Sequence, residues 1–168
     1  MAALEPVSPA THPIHPALAR LARAAEHQDF AELEETLHVA LRQPSWLRPE
    51  HRVGDPTRYM RHVLYVDPDG AFVMTAITWL PGQMSAIHGH HVWCLFGVAE
   101  GNLTEERFSA SLELEKKVVY QPGELARADL DQQGVHRVSN RGNGRVVSLH
   151  LYGVGADQLT TGINRLVS

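Results

Sequence analysis

The stretch from Pro81 to Gly101 carries the residues best suited to grip a metal ion. His88 and His90 stand two apart, between a Pro81-Gly82 turn and Gly101. On a strand, residues i and i+2 point to the same face, so the two imidazoles would project side by side into one space. A third histidine, His136, follows far downstream in Gly134-Val135-His136-Arg137-Val138-Ser139-Asn140. Three neutral imidazoles bind a divalent ion and leave part of its coordination sphere open. The spacing by itself does not choose among iron, nickel, manganese and zinc. A lone His-x-His is more often an exposed polar pair; the flanking glycines and the downstream His136-x-x-x-Asn140 turn the reading toward ligands. His91 points to the opposite face of a regular strand and is left out of the set.

Other side chains could act on whatever such an ion binds. Ser148, His150 and Tyr152 alternate, so on a strand all three share a face and can form a hydrogen-bonded row. Alternating polar residues also mark a solvent-facing strand edge, and it is the company of the histidines that favours the row. Arg61 offers a planar fork that matches a carboxylate bidentately, with Tyr59 on the same face. Cys94 is the only cysteine, so no disulfide can form within the chain. This fits a reducing compartment, and a small core residue is the ordinary fate of such a thiol.

The elements that must position these groups are readable in order. Residues 1–16 carry Pro6, Pro9, Pro13 and Pro16 and are expected as an extended lead-in, with His12 and His15 in a solvated tail. Residues 17–168 are expected as one domain, with helices over about 17–43 and a barrel over about 58–153. Leu18, Leu21 and Ala25 recur with helical spacing. Asp29 is placed as the cap of a second helix, whose stripe is Phe30, Leu33, Leu37 and Ala40 or Leu41. Short β-prone runs then follow, separated by Asp67-Pro68-Asp69-Gly70, Pro81-Gly82, Gly101-Asn102, Pro122-Gly123 and Arg141-Gly142-Asn143-Gly144. This pattern predicts a mainly β antiparallel sandwich or barrel with the helices packed on it. The segment 156–168 reads equally as a short helix or an edge strand. A net charge of −4 gives no basic surface for nucleic acid or a membrane. No apolar run approaches the ~20 residues of a membrane span. The N-terminus lacks a signal-peptide pattern, so a cytoplasmic location is expected.

The spacing from Gly82 through His88-x-His90 to Gly101 resembles the first motif of the cupin jelly roll, with Cys94 where most cupins have glutamate. The stretch around His136 and Asn140 resembles the end of the second motif. Four segments in order, Tyr59-Met60-Arg61, His88-Gly89-His90 through Gly101-Asn102-Leu103, Val135-His136-Arg137-Val138 and Ser148-Leu149-His150-Leu151-Tyr152, resemble the cysteine dioxygenase family. The run His91-Val92-Trp93-Cys94-Leu95-Phe96-Gly97-Val98 is closer to its bacterial branch.

The resemblance implies iron(II) on His88, His90 and His136, and oxidation of L-cysteine by O2 to cysteine sulfinate. Arg61 would hold the substrate carboxylate, helped by Tyr59. Tyr152 would hydrogen-bond the oxygen or the substrate, oriented by His150 and Ser148. Cys94 falls where the animal enzymes link a cysteine to the active-site tyrosine, so either a thioether to Tyr152 or a free core thiol is expected. The partners implied are a small thiol and O2, in a monomer or small homo-oligomer. Arg165 is a candidate second carboxylate site. Two alternatives stand beside this reading: a dioxygenase of another small thiol carboxylate such as 3-mercaptopropionate, and a non-catalytic metal-binding cupin.

Overall fold

The computed structural model of the protein describes residues 14–128, 135–159 and 163–166. Most of the expected lead-in, residues 1–13, lies outside them. Helix α1 (Pro16–Glu26) starts on a proline whose missing N–H costs nothing in a first turn, and the His15 ring accepts from Ala17 N. Helix α2 (Phe30–Arg42) is capped by Asp29, whose carboxylate accepts from Ala31 N and Glu32 N. Each helix buries one leucine-rich face, Leu18 and Leu21 on α1 and Leu33, Leu37 and Leu41 on α2. A 3-10 turn (Pro49–Arg52) leads into the sheets.

The strands are β1 (Met60–Val66), β2 (Val73–Trp79), β3 (His88–His90), β4 (Cys94–Glu100), β5 (Leu103–Phe108), β6 (Leu114–Tyr120), β7 (Leu125–Ala128), β8 (Val135–Ser139), β9 (Val146–Tyr152) and β10 (Asn164–Leu166). They form two five-stranded sheets, ordered β1-β2-β9-β4-β7 and β10-β3-β8-β5-β6. The pairings among them are antiparallel, giving the jelly-roll barrel with N-terminal helices that the sequence predicts. The turn glycines Gly70, Gly82, Gly101 and Gly123 all adopt positive φ, the conformation that favours glycine in tight turns. The ambiguous C-terminal stretch contains both outcomes, a 3-10 turn (Ala156–Gln158) and strand β10.

Strand β9 is buried along its whole length. Val147, Leu149 and Leu151 join the helices in one apolar cluster with Met74 and Leu95. Ser148, His150 and Tyr152 are on the other face, and His150 and Tyr152 line the barrel's interior cleft. The helices therefore close the back of the first sheet, and the polar alternation of β9 faces inward rather than to solvent. At Gly97 on β4 a Cβ would collide with the Leu41 side chain and lie 3.1 Å from Glu124 O, so only glycine lets α2 sit this close. Asn140 ties the two sheets together at one end. Its Nδ2 donates to Trp79 O (2.9 Å) and to Gly144 O (2.7 Å), and its Oδ1 accepts from Gly142 N (3.0 Å).

Candidate metal centre

His88 and His90 lie on β3 and His136 on β8, where His88 and His136 are direct cross-strand partners. One ring nitrogen from each falls within 4.8 Å of the others, a cluster able to hold a metal ion. Ring centroids are 4.6 Å apart for His88–His136 and 5.0 Å for the two pairs that include His90. The Nδ1 atoms of two rings are engaged away from the cluster. His88 Nδ1 faces Ala86 O at 2.9 Å and His136 Nδ1 faces Glu105 Oε1 at 2.7 Å. Both rings thus carry the proton on Nδ1 and leave Nε2 as a lone-pair donor. His136 Nε2 stands 3.4 Å from His90 Nε2, while His90 Nδ1 is buried without a partner among the described residues. Burial, and then the neighbouring His136, holds His88 down at about 4 and His90 at about 3. Both rings are therefore neutral near pH 7, the state in which an imidazole can take a metal ion. Converging neutral nitrogens fit a divalent transition ion, and imidazole suits several of them.

Across the barrel stands the row on β9. Ser148 Oγ is 2.8 Å from His150 Nε2, and Tyr152 Oη is 3.2 Å from His150 Nδ1. The row extends one residue further than the sequence suggested, because Trp79 Nε1 donates to Ser148 Oγ at 2.9 Å. An indole N–H can only donate, so the serine oxygen is the acceptor there. Among the described residues, the only other hydrogen-bond partner of that hydroxyl is His150 Nε2, and leaving a buried O–H unpaired is costly. The hydroxyl therefore donates to Nε2, which places the proton of neutral His150 on Nδ1, aimed at Tyr152 Oη. Burial, with Arg61 next, pushes His150 well below its ordinary range, and burial raises the Tyr152 phenol. The phenol keeps its proton, and that proton is free to point away from His150. The ring of Tyr152 lies 6.4 Å from that of His90.

Arg61 on β1 lines the same cleft, its guanidinium 5.7 Å from the Tyr152 ring. Its Nη1 donates to Leu159 O at 3.2 Å, and its buried Nε has no partner among the described residues. Tyr59, just ahead of β1, leans on Trp79 at 4.5 Å and also lines the cleft. Cys94 on β4 is directly opposite Tyr152 in register and is a buried free thiol whose ionisation burial opposes. The cleft is lined from both sheets, by His88, His90 and His136 on one side and Arg61, His150 and Tyr152 on the other. Arg165 on β10 instead packs its guanidinium beside Gly89, 2.8 Å from where a Cβ would sit. Its side chain is exposed, and it is not among the residues lining the cleft. His91 is exposed as well.

Three residues near the centre escape a sequence reading. Asn164, opposite His90 in the β10–β3 pair, lines the cleft from a segment whose structure was ambiguous. Trp79 reads as an ordinary core aromatic. Glu105 sits in a charged run, Thr104-Glu105-Glu106-Arg107, that resembles a solvated strand. Its signal is subtle: it shares a face with buried Leu103 two residues earlier. Burial works against its ionisation, yet His136, Arg107 and Tyr120 bring its carboxyl down to about 2.

The barrel is similar in fold to the protein TT1209 from Thermus thermophilus. That match has a TM-score of 0.53 and 17% identity, and covers 62% of this chain and 91% of that one. It is similar to the same degree to an uncharacterized conserved protein with a double-stranded β-helix domain from Klebsiella pneumoniae. There the TM-score is 0.53 and the identity 19%, over 64% of this chain and 86% of that one. At such identities the likeness speaks for the fold alone. The family model described as cysteine dioxygenase type I matches residues 22–161, from the first helix through the cleft. On that match, the chain belongs to the cysteine dioxygenase type I family.

Proposed function

We propose that the chain is an iron(II)-dependent thiol dioxygenase that oxidises L-cysteine with O2 to cysteine sulfinate, RSH + O2 → RSO2H. The observation that carries this reading is the pairing, across one cleft, of a three-histidine cluster with a buried Ser-His-Tyr row and an arginine. Bound by the Nε2 atoms of His88, His90 and His136, iron(II) would supply open positions for thiolate and O2 and the electron transfers that join them.

The remaining work belongs to the chain's own side chains. Arg61 binds the substrate carboxylate, a role supported by its place in the cleft lining and by a buried Nε without a partner among the described residues. Tyr59 steadies that end of the cleft through its contact with Trp79. Tyr152 donates a hydrogen bond from its phenol to the reacting sulfur or oxygen, and its raised pKa keeps the proton in place for that purpose. His150 and Ser148 hold the phenol in position. The apolar surroundings of Val138, Phe96 and Ile77 keep the cleft partly dry, which strengthens these polar contacts. A single buried thiol in the chain suits the reducing cytoplasm in which we place the enzyme.

The test is thiol-dependent O2 uptake and sulfinate formation by iron-loaded protein, with cysteine and 3-mercaptopropionate run side by side. Cysteine is expected to be the better substrate. Arg61→Gln should raise its KM by about ten- to hundred-fold, the loss of a charged hydrogen-bonded contact of about 1.5–3 kcal/mol. A preference for 3-mercaptopropionate would move the substrate assignment. Iron-loaded protein that consumes no O2 with either thiol would leave a metal-binding cupin without this activity.

A further inference from the structure

Behind His136 lies a carboxylate that the proposed reaction does not use. Glu105 on β5 is 4% exposed. Its Oε1 faces His136 Nδ1 at 2.7 Å. Its Oε2 accepts from the Tyr120 hydroxyl at 2.8 Å and from Arg107 Nε at 3.0 Å. The sheet register brings these groups together. Arg107 is the direct partner of His136 and Leu103 that of Tyr120, so Glu105 lies two residues along the same face from each partner and reaches both diagonally. An ionised carboxylate only accepts, and three donors converge on this one. A protonated carboxyl would have to direct its own hydrogen at one of them.

The other two rings have nothing comparable. His88 Nδ1 rests on the neutral carbonyl of Ala86, and among the described residues His90 Nδ1 has no partner. Among the described residues, Glu105 is the one carboxylate hydrogen-bonded to a ring of the cluster. Arg107 bonds the carboxylate oxygen that His136 does not and partly neutralises Glu105, with a side chain 43% exposed.

Resting on the reading that the three histidines hold iron, we infer that Glu105 is a positioning residue of the metal centre, fixing the His136 tautomer and lending the ion a negative charge through that ring. A cluster of three neutral ligands then carries one buried charge a single imidazole away. Such outer partners orient the ligand and raise its basicity. Negative charge near the ion favours Fe(III) more than Fe(II), so Glu105 lowers the midpoint potential, and Arg107 opposes it.

The experiment uses the full chain, loaded anaerobically with Fe(II), with affinity read by chelator competition and the Fe(III)/Fe(II) midpoint by mediated titration. In Glu105→Gln the affinity for Fe(II) is expected to fall about ten- to hundred-fold. If Fe(III) binding weakens ten-fold more than Fe(II) binding, the midpoint rises by about 59 mV. Arg107→Gln, which removes the opposing cation, is expected to shift the midpoint the other way. Opposite shifts support the assignment, because a merely structural disturbance has no reason to change sign. An unchanged affinity and midpoint in folded Glu105→Gln overturns it, as do shifts of the same sign in both variants. Should Glu105→Gln not fold, the Arg107 variant carries the test alone, and a raised or unchanged midpoint overturns the inference. Wild-type protein that fails to bind Fe(II) would instead remove the metal-centre reading itself.

Discussion

Trp79, far from β9 in sequence, sets the direction of every proton along that strand's polar row, since its indole can only donate to Ser148. Trp79→Phe keeps an aromatic ring, though a smaller one, and frees the serine oxygen to accept from His150 instead. The variant should lower kcat about two- to ten-fold, the value of a hydrogen bond of about 0.5–1.5 kcal/mol, with little change in KM. Nitrogen NMR of the zinc-loaded protein should show His150 mainly as the Nδ1–H tautomer in wild type and as a mixture in the variant. A wild-type ring protonated on Nε2 would sink the assigned direction. Cys94 and Tyr152 face each other across β4 and β9. If a thioether joins them, the intact mass of active protein falls by two hydrogens, and Cys94→Ala abolishes that difference. At this scale His88, His90 and the β9 row were legible because a spacing of two matches a strand, His136 from the His136-x-x-x-Asn140 stretch, and Arg61 from the chemistry of its guanidinium. Glu105 and Tyr120 were not, because the bond between them depends on a register between strands that no local pattern encodes.

Among the elements, α2 decides how well the first sheet is backed. Leu41 is 1% exposed and occupies the space that Gly97 leaves vacant on β4. Leu41→Ala should cost about 2–5 kcal/mol of stability, read by denaturant unfolding, because the glycine beneath it cannot refill the cavity. A cost under about 1 kcal/mol would mean the helix does not depend on this contact. The start of α2 was plain in the sequence from Asp29 and the apolar stripe, and the strand ends from their proline and glycine turns. The fate of β9 was less plain. Its alternation of Ser148, His150 and Tyr152 with Val147, Leu149 and Leu151 fits a half-exposed strand equally well. Only the helices packed on its apolar face turn the polar face inward. The stretch after Tyr152 could not be read as helix or strand because it holds a short piece of each.

Taken as a whole molecule, the barrel keeps a set of imidazoles neutral in its interior, and that choice makes the metal-free protein sensitive to acid. In the unfolded chain His88 and His90 return to an ordinary value near 6.5, while in the fold they titrate at about 4 and about 3. The unfolded state thus binds more protons below about pH 6.5, and stability present above that point is lost as the pH falls toward about 4. The slope is about 1.4 kcal/mol per pH unit for each histidine. His150, also shifted down, acts in the same sense. Thermal melts of apo-protein should therefore drop steadily between about pH 6.5 and about pH 4.5. Added metal should stabilise the fold at about pH 7 by about 2.7 kcal/mol at about one hundred times Kd, and should still do so at about pH 5, where both rings are largely unprotonated in the fold. A flat apo profile over that range would contradict neutral burial.

The three rings are unequally braced. His88 leans on a carbonyl and His136 on a carboxylate, but the outer nitrogen of His90 meets no acceptor among the described residues. Two walls of the cage are bolted from behind, and the third is held by its neighbours in front: the imidazole at position 90 takes its orientation from the rings of His88, His136 and Tyr152 packed against it.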